Sequence, residues 1–157
     1  MGIELVYGDL LVSETDALLL TIDGAKRGME GNIARQFKRR FPEDGKYMQR
    51  DVKYPIPLGR TVAIPWDGEC QWRHIFFAST LHHLDVLDDQ QKLQVIRSAL
   101  SEALNLCVRL RITSIATGVL AGGWRLDPEI ALDQMKATYQ ASAAKDVKLL
   151  IYQLAAS

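Results

Sequence analysis

The stretch from Thr117 to Gly123 reads Thr-Gly-Val-Leu-Ala-Gly-Gly, with three glycines in seven residues. Where side chains are missing, successive backbone N–H groups can converge on one object. A helix opens just beyond, with Asp127 as its N-cap and Pro128 at the first helical position. A concave glycine turn ahead of a helix can hold phosphate or diphosphate without a basic side chain. The same residues also suit a plain strand-to-helix connection in which glycine only relieves strain. Neither the dinucleotide fingerprint nor the Walker lysine pattern is present. A second glycine-punctuated loop, residues 23–31 (DGAKRGMEG), offers the same backbone chemistry. His82 and His83, followed by Asp85, Asp88 and Asp89, are of metal-ligand type. Neighbouring side chains on an extended chain point apart, so no metal site is expected there. Cys70 and Cys107 lie far apart without ligand spacing and read as reduced, partly buried thiols.

The elements that must position these loops follow from periodicity. Ile3 to Tyr7 is a short apolar strand ended by Gly8-Asp9, and Asp16 to Ile22 (DALLLTI) is apolar enough for a strand buried on both faces. From Asn32 a helix follows, with Ile33, Phe37 and Phe41 as its buried stripe and Arg35, Lys38, Arg39 and Arg40 as a solvated basic face. Pro42 to Leu58 holds three prolines and reads as a long connection with weak structure. Gly59 to Pro65 and Arg73 to Ser79 read as two strands in a hairpin-like arrangement. Asp89 to Leu110 is the strongest helix, with Leu93, Ile96, Leu100, Ala103, Leu104 and Cys107 on one face. A strand over Ile112 to Ala116, the glycine loop, a helix to about Ala144 and a strand over Val147 to Leu154 complete the chain. This order predicts an α/β fold: three α/β/α layers around a mixed, mostly parallel sheet of about six strands. Ligand crevices in such sheets lie at the carboxyl ends of strands, where the two glycine loops would form the lips of one cleft.

Composition narrows the function classes. The 157 residues suit one domain, residues 1–157, with an ordinary 48% hydrophobic and 24% charged content. Lys plus Arg and Asp plus Glu both number 19, and this neutral balance argues against a protein built to hold nucleic-acid backbone. No segment has the pattern of a secretion signal, and no apolar run reaches membrane-spanning length, so a cytoplasmic location is expected.

The order of these features resembles the macro domain, the ADP-ribose-binding fold. Gly8-Asp9-Leu10 is similar to the family's Gly-Asp-Ile after the first strand, and Asp16-Ala17-Leu18-Leu19 to its Asp-Ala-Ile-Val. Gly28 to Ile33 (GMEGNI) stands where the family has its glycine-rich first loop and helix start. Thr117-Gly118-Val119-Leu120-Ala121-Gly122 resembles its Thr-Gly-Val-Phe-Gly diphosphate loop, and Gly59-Arg60-Thr61-Val62 its middle hairpin. The resemblance spans nearly the whole chain, with the last loop as its sharpest motif. It implies that Asp9, with Leu10 beside it, accepts a hydrogen bond from the adenine amino group. It implies that backbone N–H groups of Thr117, Gly118, Val119 and Leu120, continuing into Ala121 and Gly122, hold the diphosphate. Gly31, Asn32 and Ile33 would close over it from the other lip. Leu120 takes the place of the family's aromatic beside the distal ribose, with Trp124 as a partial substitute, and Tyr152 is placed to stack on adenine or to pack at the rim.

Departures from the family pattern concentrate at the distal ribose. Leu20-Thr21-Ile22-Asp23 replaces Asn-Ala-Ala-Asn, so that Asp23 stands where an amide orients that ribose. Glu30 falls near an aspartate used by some hydrolytic members, and either Asp23 or Glu30 would then activate water as a general base. Lys26-Arg27-Gly28-Met29 is leaner in glycine than the family's first loop, and Ser114-Ile115-Ala116 lacks its usual proline-containing extension. A divergent macro domain is implied, without cofactor or metal, whose adenine and diphosphate side is the better kept. The leading function is binding of ADP-ribose or an ADP-ribosylated molecule. The alternatives are hydrolysis of ADP-ribosyl esters or of ADP-ribose 1″-phosphate, and a protein- or RNA-binding scaffold using the Arg35 to Arg40 face. Nucleic acid is the less favoured partner.

Overall fold

The computed structural model describes residues 2–121 and 125–153. Six strands form one sheet: β1 (Ile3–Tyr7), β2 (Ala17–Asp23), β3 (Thr61–Pro65), β4 (His74–Leu81), β5 (Ser114–Gly118) and β6 (Lys148–Gln153). They lie in the order β1-β6-β5-β2-β4-β3, and every pairing is parallel except that of β3 with β4. The sheet is therefore mixed and mostly parallel, and five strands end at one edge. The helices are α1 (Asn32–Arg40), α2 (Pro42–Asp51), α3 (Asp89–Leu110) and α4 (Pro128–Ala141), with a short 3-10 turn at Leu10–Val12.

Alternation along the strands builds the three layers. Leu18, Leu20 and Ile22 of β2 and Ile75 and Phe77 of β4 face α1 and α2 together with Ala34, Phe37 and Met48. The intervening Ala17 and Leu19 of β2 and Phe76 and Ala78 of β4 face α3 and α4, meeting Ile96, Leu100, Leu104, Ala131 and Met135. A strand sandwiched in this way has no wet face, which is why β2 and β4 carry the unbroken apolar runs ALLL and IFFA. Trp72 is fully buried and packs against both Phe37 and Phe41, with ring centroids 6.0 and 5.7 Å apart, fastening α1 to the sheet. Its indole N–H donates to the Ser13 hydroxyl at 3.1 Å. The long helix α3 starts at a capping box in which Asp88 and Gln91 satisfy each other's backbone N–H groups. Among the described residues, no helix is long and apolar enough to cross a membrane.

One expectation fails in this frame. Pro42 to Leu58 is not weakly structured throughout, since its first ten residues are α2. Pro42 sits at the first helical position, where its missing N–H costs nothing, and Glu43 and Asp44 occupy the first turn, where the helix dipole favours them. Asp44 is buried and accepts from the backbone N–H groups of Glu69 and Cys70 at 3.1 and 2.7 Å. Burial is the largest influence and would raise its pKa, but those two amides, with the Cys70 and Trp66 side chains, together hold the carboxyl below the ordinary aspartate value.

Candidate functional site

The crevice is a fork between two strands. β2 and β5 pair only through Ala17/Ile115 and Leu18/Ala116. Beyond that point β5 stays in register with β6, pairing Gly118 with Tyr152, while β2 continues beside β4 until Asp23 meets Leu81. Strands that part at their carboxyl ends, with one connection leaving each way, open the position where α/β sheets receive ligands.

The first lip is the loop between β2 and α1. Gly31 is the N-cap of α1 at φ 142°, and a Cβ there would lie 2.7 Å from the Thr21 carbonyl oxygen. Only glycine lets the loop come this close to β2 in that backbone region. No side chain caps α1, and its first turn carries no acidic residue. Its N-terminal N–H groups, and the positive end of its dipole, thus meet no carboxylate of their own helix. Side chains from α1, α2 and Tyr54 brace this loop. Lys38 Nζ and Gln49 Nε2 donate to the Gly28 carbonyl at 2.5 and 3.2 Å, and the Met29 N–H donates to the Tyr54 hydroxyl at 3.1 Å. The face from Arg35 to Arg40 is therefore not simply solvated. Arg35 pairs with Glu30, Lys38 holds Gly28 and Arg40 pairs with Asp9.

The second lip continues β5. Thr117 is buried, and its hydroxyl donates to the Gly118 carbonyl at 3.1 Å. Among the described residues, a Cβ on Gly118 would meet no atom within 4 Å, so this position borders open space there. Leu120 and Ala121 turn the other way, into the core against α3 and α4. Leu120 is 3% exposed, so its side chain fills the core and does not line the crevice as the family's aromatic would. The Ala121 N–H is used internally, donating to the Val119 carbonyl at 2.8 Å. Gly122 and Trp124 lie outside the described residues. Beyond them, α4 has its N-terminus filled: the Asp127 carboxylate accepts from the Glu129 N–H at 2.9 Å, and Pro128 has none to give. The open helix terminus at the crevice is thus that of α1, across the fork from β5.

Asp9 stands at the end of β1 as the N-cap of the 3-10 turn. Its Oδ1 accepts from the Leu11 N–H at 2.9 Å and its Oδ2 pairs with Arg40 Nη1 at 2.7 Å. The Leu11 amide foremost holds this carboxyl below the ordinary aspartate value; burial opposes it, and Arg40 adds to the lowering. Half of the side chain remains exposed. Leu10 is buried, and Ile33 and Tyr152 pack half-buried against the same cluster. Asp9, Leu10, Ile33 and Tyr152 are thereby gathered on the α1 side of the sheet.

Asp23 and Glu30, both expected as carboxylates able to activate water, have other engagements. Asp23 is buried, its Oδ1 accepting from the Ala25 N–H at 3.0 Å and its Oδ2 from the His83 N–H at 3.1 Å and His83 Nδ1 at 3.0 Å. Its own N–H donates to the Glu30 carbonyl at 2.8 Å, closing the first lip. The Glu30 carboxylate pairs at the surface with Arg35, 3.4 Å away. His83 is the contact of Asp23 that the sequence reading passes over, because the pair of histidines reads there only as metal ligands and Asp23 is sixty positions distant.

A Ser79–His82–Asp85 series has the order of a nucleophilic triad but not its chemistry. Ser79 is fully buried and donates to the Ile56 carbonyl at 2.9 Å. His82 Nε2 lies 2.8 Å from the same carbonyl, an acceptor only, so that nitrogen carries the proton. It has no lone pair to offer Ser79, which lies 3.3 Å away.

No family model matches the sequence, and no curated protein matches it. Solved structures do. The macrodomain of Mycobacterium tuberculosis DarG is 27% identical, with a TM-score of 0.76 over 98% of this chain and 100% of that one. The macrodomain of Thermus aquaticus DarG is 24% identical, with a TM-score of 0.73 over 96% and 97% of the two chains. A variant of the Oceanobacillus iheyensis macrodomain, solved with ADPR, is 16% identical with a TM-score of 0.79 over 98% and 85%. Superposition over nearly the whole chain on these structures shows that this chain has the macro-domain fold.

Proposed function

We propose that this macro domain binds ADP-ribose, or the ADP-ribosyl part of a larger molecule, across the fork between β2 and β5. The observation that carries the reading is the uncapped, acid-free N-terminus of α1, fixed by Gly31, with open space among the described residues at Gly118 on β5. Diphosphate is the part of the ligand that such a terminus favours, through its free N–H groups and dipole. Its charge would lie between Gly31, Asn32 and Ile33 on one lip and the backbone of Thr117 to Leu120 on the other. Adenine would lie toward Asp9, Leu10 and Tyr152. Arg40 leaves the Asp9 carboxylate lone pairs to spare, because the two oxygens together accept about four hydrogen bonds. The distal ribose would then point toward Asp23 and Glu30. The ADPR bound in the Oceanobacillus relative supports this choice of ligand. The scaffold alternative loses weight because Arg35, Lys38 and Arg40 are engaged within the molecule.

Calorimetric titration with ADP-ribose, with AMP and NAD as controls, tests the reading. Micromolar binding of ADP-ribose with much weaker AMP is the expected result. In Gly118→Val the added methyls enter open space, so the fold should melt as before while binding is abolished. No heat at millimolar ADP-ribose, or retained affinity in Gly118→Val, would overturn it.

A further inference from the structure

We propose that Arg40 is a positioning residue for base selection: by pinning the Asp9 carboxylate, it makes that acceptor a fixed discriminator between adenine and hypoxanthine. The inference rests on the ADP-ribose reading above and adds what makes the choice of base sharp. Asp9 Oδ1 accepts from the Leu11 N–H at 2.9 Å, and Oδ2 lies 2.7 Å from Arg40 Nη1. The carboxylate is thus held from two sides, by its own 3-10 turn and by the last residue of α1. Two such contacts leave it no freedom to turn, yet 42% of the side chain stays exposed to receive a ligand.

The helix that carries Arg40 also carries the first lip. α1 begins directly after Gly31 and ends at Arg40, so nine residues, roughly 13 Å of helix, separate the proposed diphosphate contact from the Asp9 pair. A ribose and a base bridge a distance of that order. Leu10, Ile33 and Tyr152 on the same side of the sheet offer apolar and aromatic surface for the base.

Stability does not account for the pair. Both side chains are more than two-fifths exposed, and ion pairs of that kind contribute little to folding. The helix dipole favours a cation in this turn, but Lys38 and Arg39 already supply it. Arg39 is exposed and has no carboxylate partner among the described residues. What sets Arg40 apart is the carboxylate that it reaches.

Pinning matters because selectivity needs a penalty as well as an attraction. An ionised carboxylate only accepts, so it takes a hydrogen bond from the amino group of adenine and opposes the oxo group that hypoxanthine has there. A free carboxylate would swing away from the oxo group and relieve that repulsion. It would also have to be ordered afresh when adenine binds, which costs affinity. With Arg40 in place, neither escape is open.

The test is calorimetric titration of the purified protein with ADP-ribose and with IDP-ribose, its hypoxanthine analogue. The parent should prefer ADP-ribose by about tenfold or more. Arg40→Met should lose about three- to tenfold in ADP-ribose affinity and less for IDP-ribose, so that the preference narrows. It should melt within about 3 °C of the parent. On an Asp9→Ala background the same substitution should change ADP-ribose affinity by less than about twofold, since it acts only through Asp9. Arg39→Met removes the same charge from the same turn and should keep the parent preference. An unchanged preference in Arg40→Met, tighter ADP-ribose binding in it, or an equal loss with and without Asp9 would overturn this inference. So would a parent that binds both nucleotides alike, and each of these results leaves the ADP-ribose reading standing. A parent that fails to bind ADP-ribose would overturn both.

Discussion

Asp9 illustrates what one side chain does at this site. Its carboxylate is held ionised by the Leu11 amide and by Arg40, yet half of it faces solvent. The adenine contact proposed for Asp9 depends on its being acceptor-only, and a hydrogen bond to a charged group is worth about 1.5–3 kcal/mol. Asp9→Ala should therefore weaken ADP-ribose binding by about tenfold or more, read by titration calorimetry, with an unchanged circular dichroism spectrum. Equal affinity in the variant would remove Asp9 from the adenine contact. Its depressed pKa gives stability that is present above the ordinary carboxylate range and lost as the pH falls through the lower folded value. At this exposure that effect is small. The lesson at Asp23 is different: the same residue type is enclosed and bound to His83.

At the scale of elements, the first lip depends on a backbone shape as much as on side chains. Gly31 combines φ 142° with a 2.7 Å approach of any Cβ to the Thr21 carbonyl oxygen, a rigid backbone atom of a buried strand. Gly31→Ala must push the loop away from β2 or strain it, at a cost of about 1–3 kcal/mol. The variant should melt earlier and also lose ADP-ribose affinity, because the N-terminus of α1 moves with the loop. A thermal shift assay with and without ADP-ribose separates the two effects. Unaltered melting would show that the lip has slack which the close contact denies. The two helix starts also differ in kind: α4 is closed by Asp127, Pro128 and Glu129, whereas α1 is left open by Gly31. Only the open one can serve an anion.

For the whole molecule, two apolar layers clamp one sheet and hold the fork at its edge. Each layer contains one thiol, Cys107 beneath α3 and α4 and Cys70 on the α1 and α2 side. Burial pushes both up to about 12, helped at Cys70 by the Asp44 carboxylate and at Cys107 by Asp16. At pH 8 neither has an appreciable thiolate fraction in the folded protein. Iodoacetamide should leave the native protein unmodified over hours and alkylate both cysteines in denaturant, read by intact mass. Rapid native labelling at either position would mean that its layer opens far below the cost of global unfolding.

Periodicity is a local property, and whatever depends on local pattern was legible in the chain. β1 begins and ends as read, and α3 spans the expected Asp89–Leu110. The apolar run of β2 and the order of strands and loops already imply a mostly parallel sheet between helix layers, with a crevice at its carboxyl edge. α2 is not legible because the three prolines of Pro42 to Leu58 read as breakers, although Pro42, at a first helical position, starts a helix. What the sequence did not carry is who meets whom across long separations. Arg40 reaches Asp9, Lys38 reaches Gly28, Leu120 turns into the core and His83 closes on Asp23. Each of these follows from packing two layers on one sheet, which brings remote side chains within hydrogen-bond distance. The residues of the crevice were present in the sequence, but only the tertiary structure decided that Asp23 is enclosed and bound to His83.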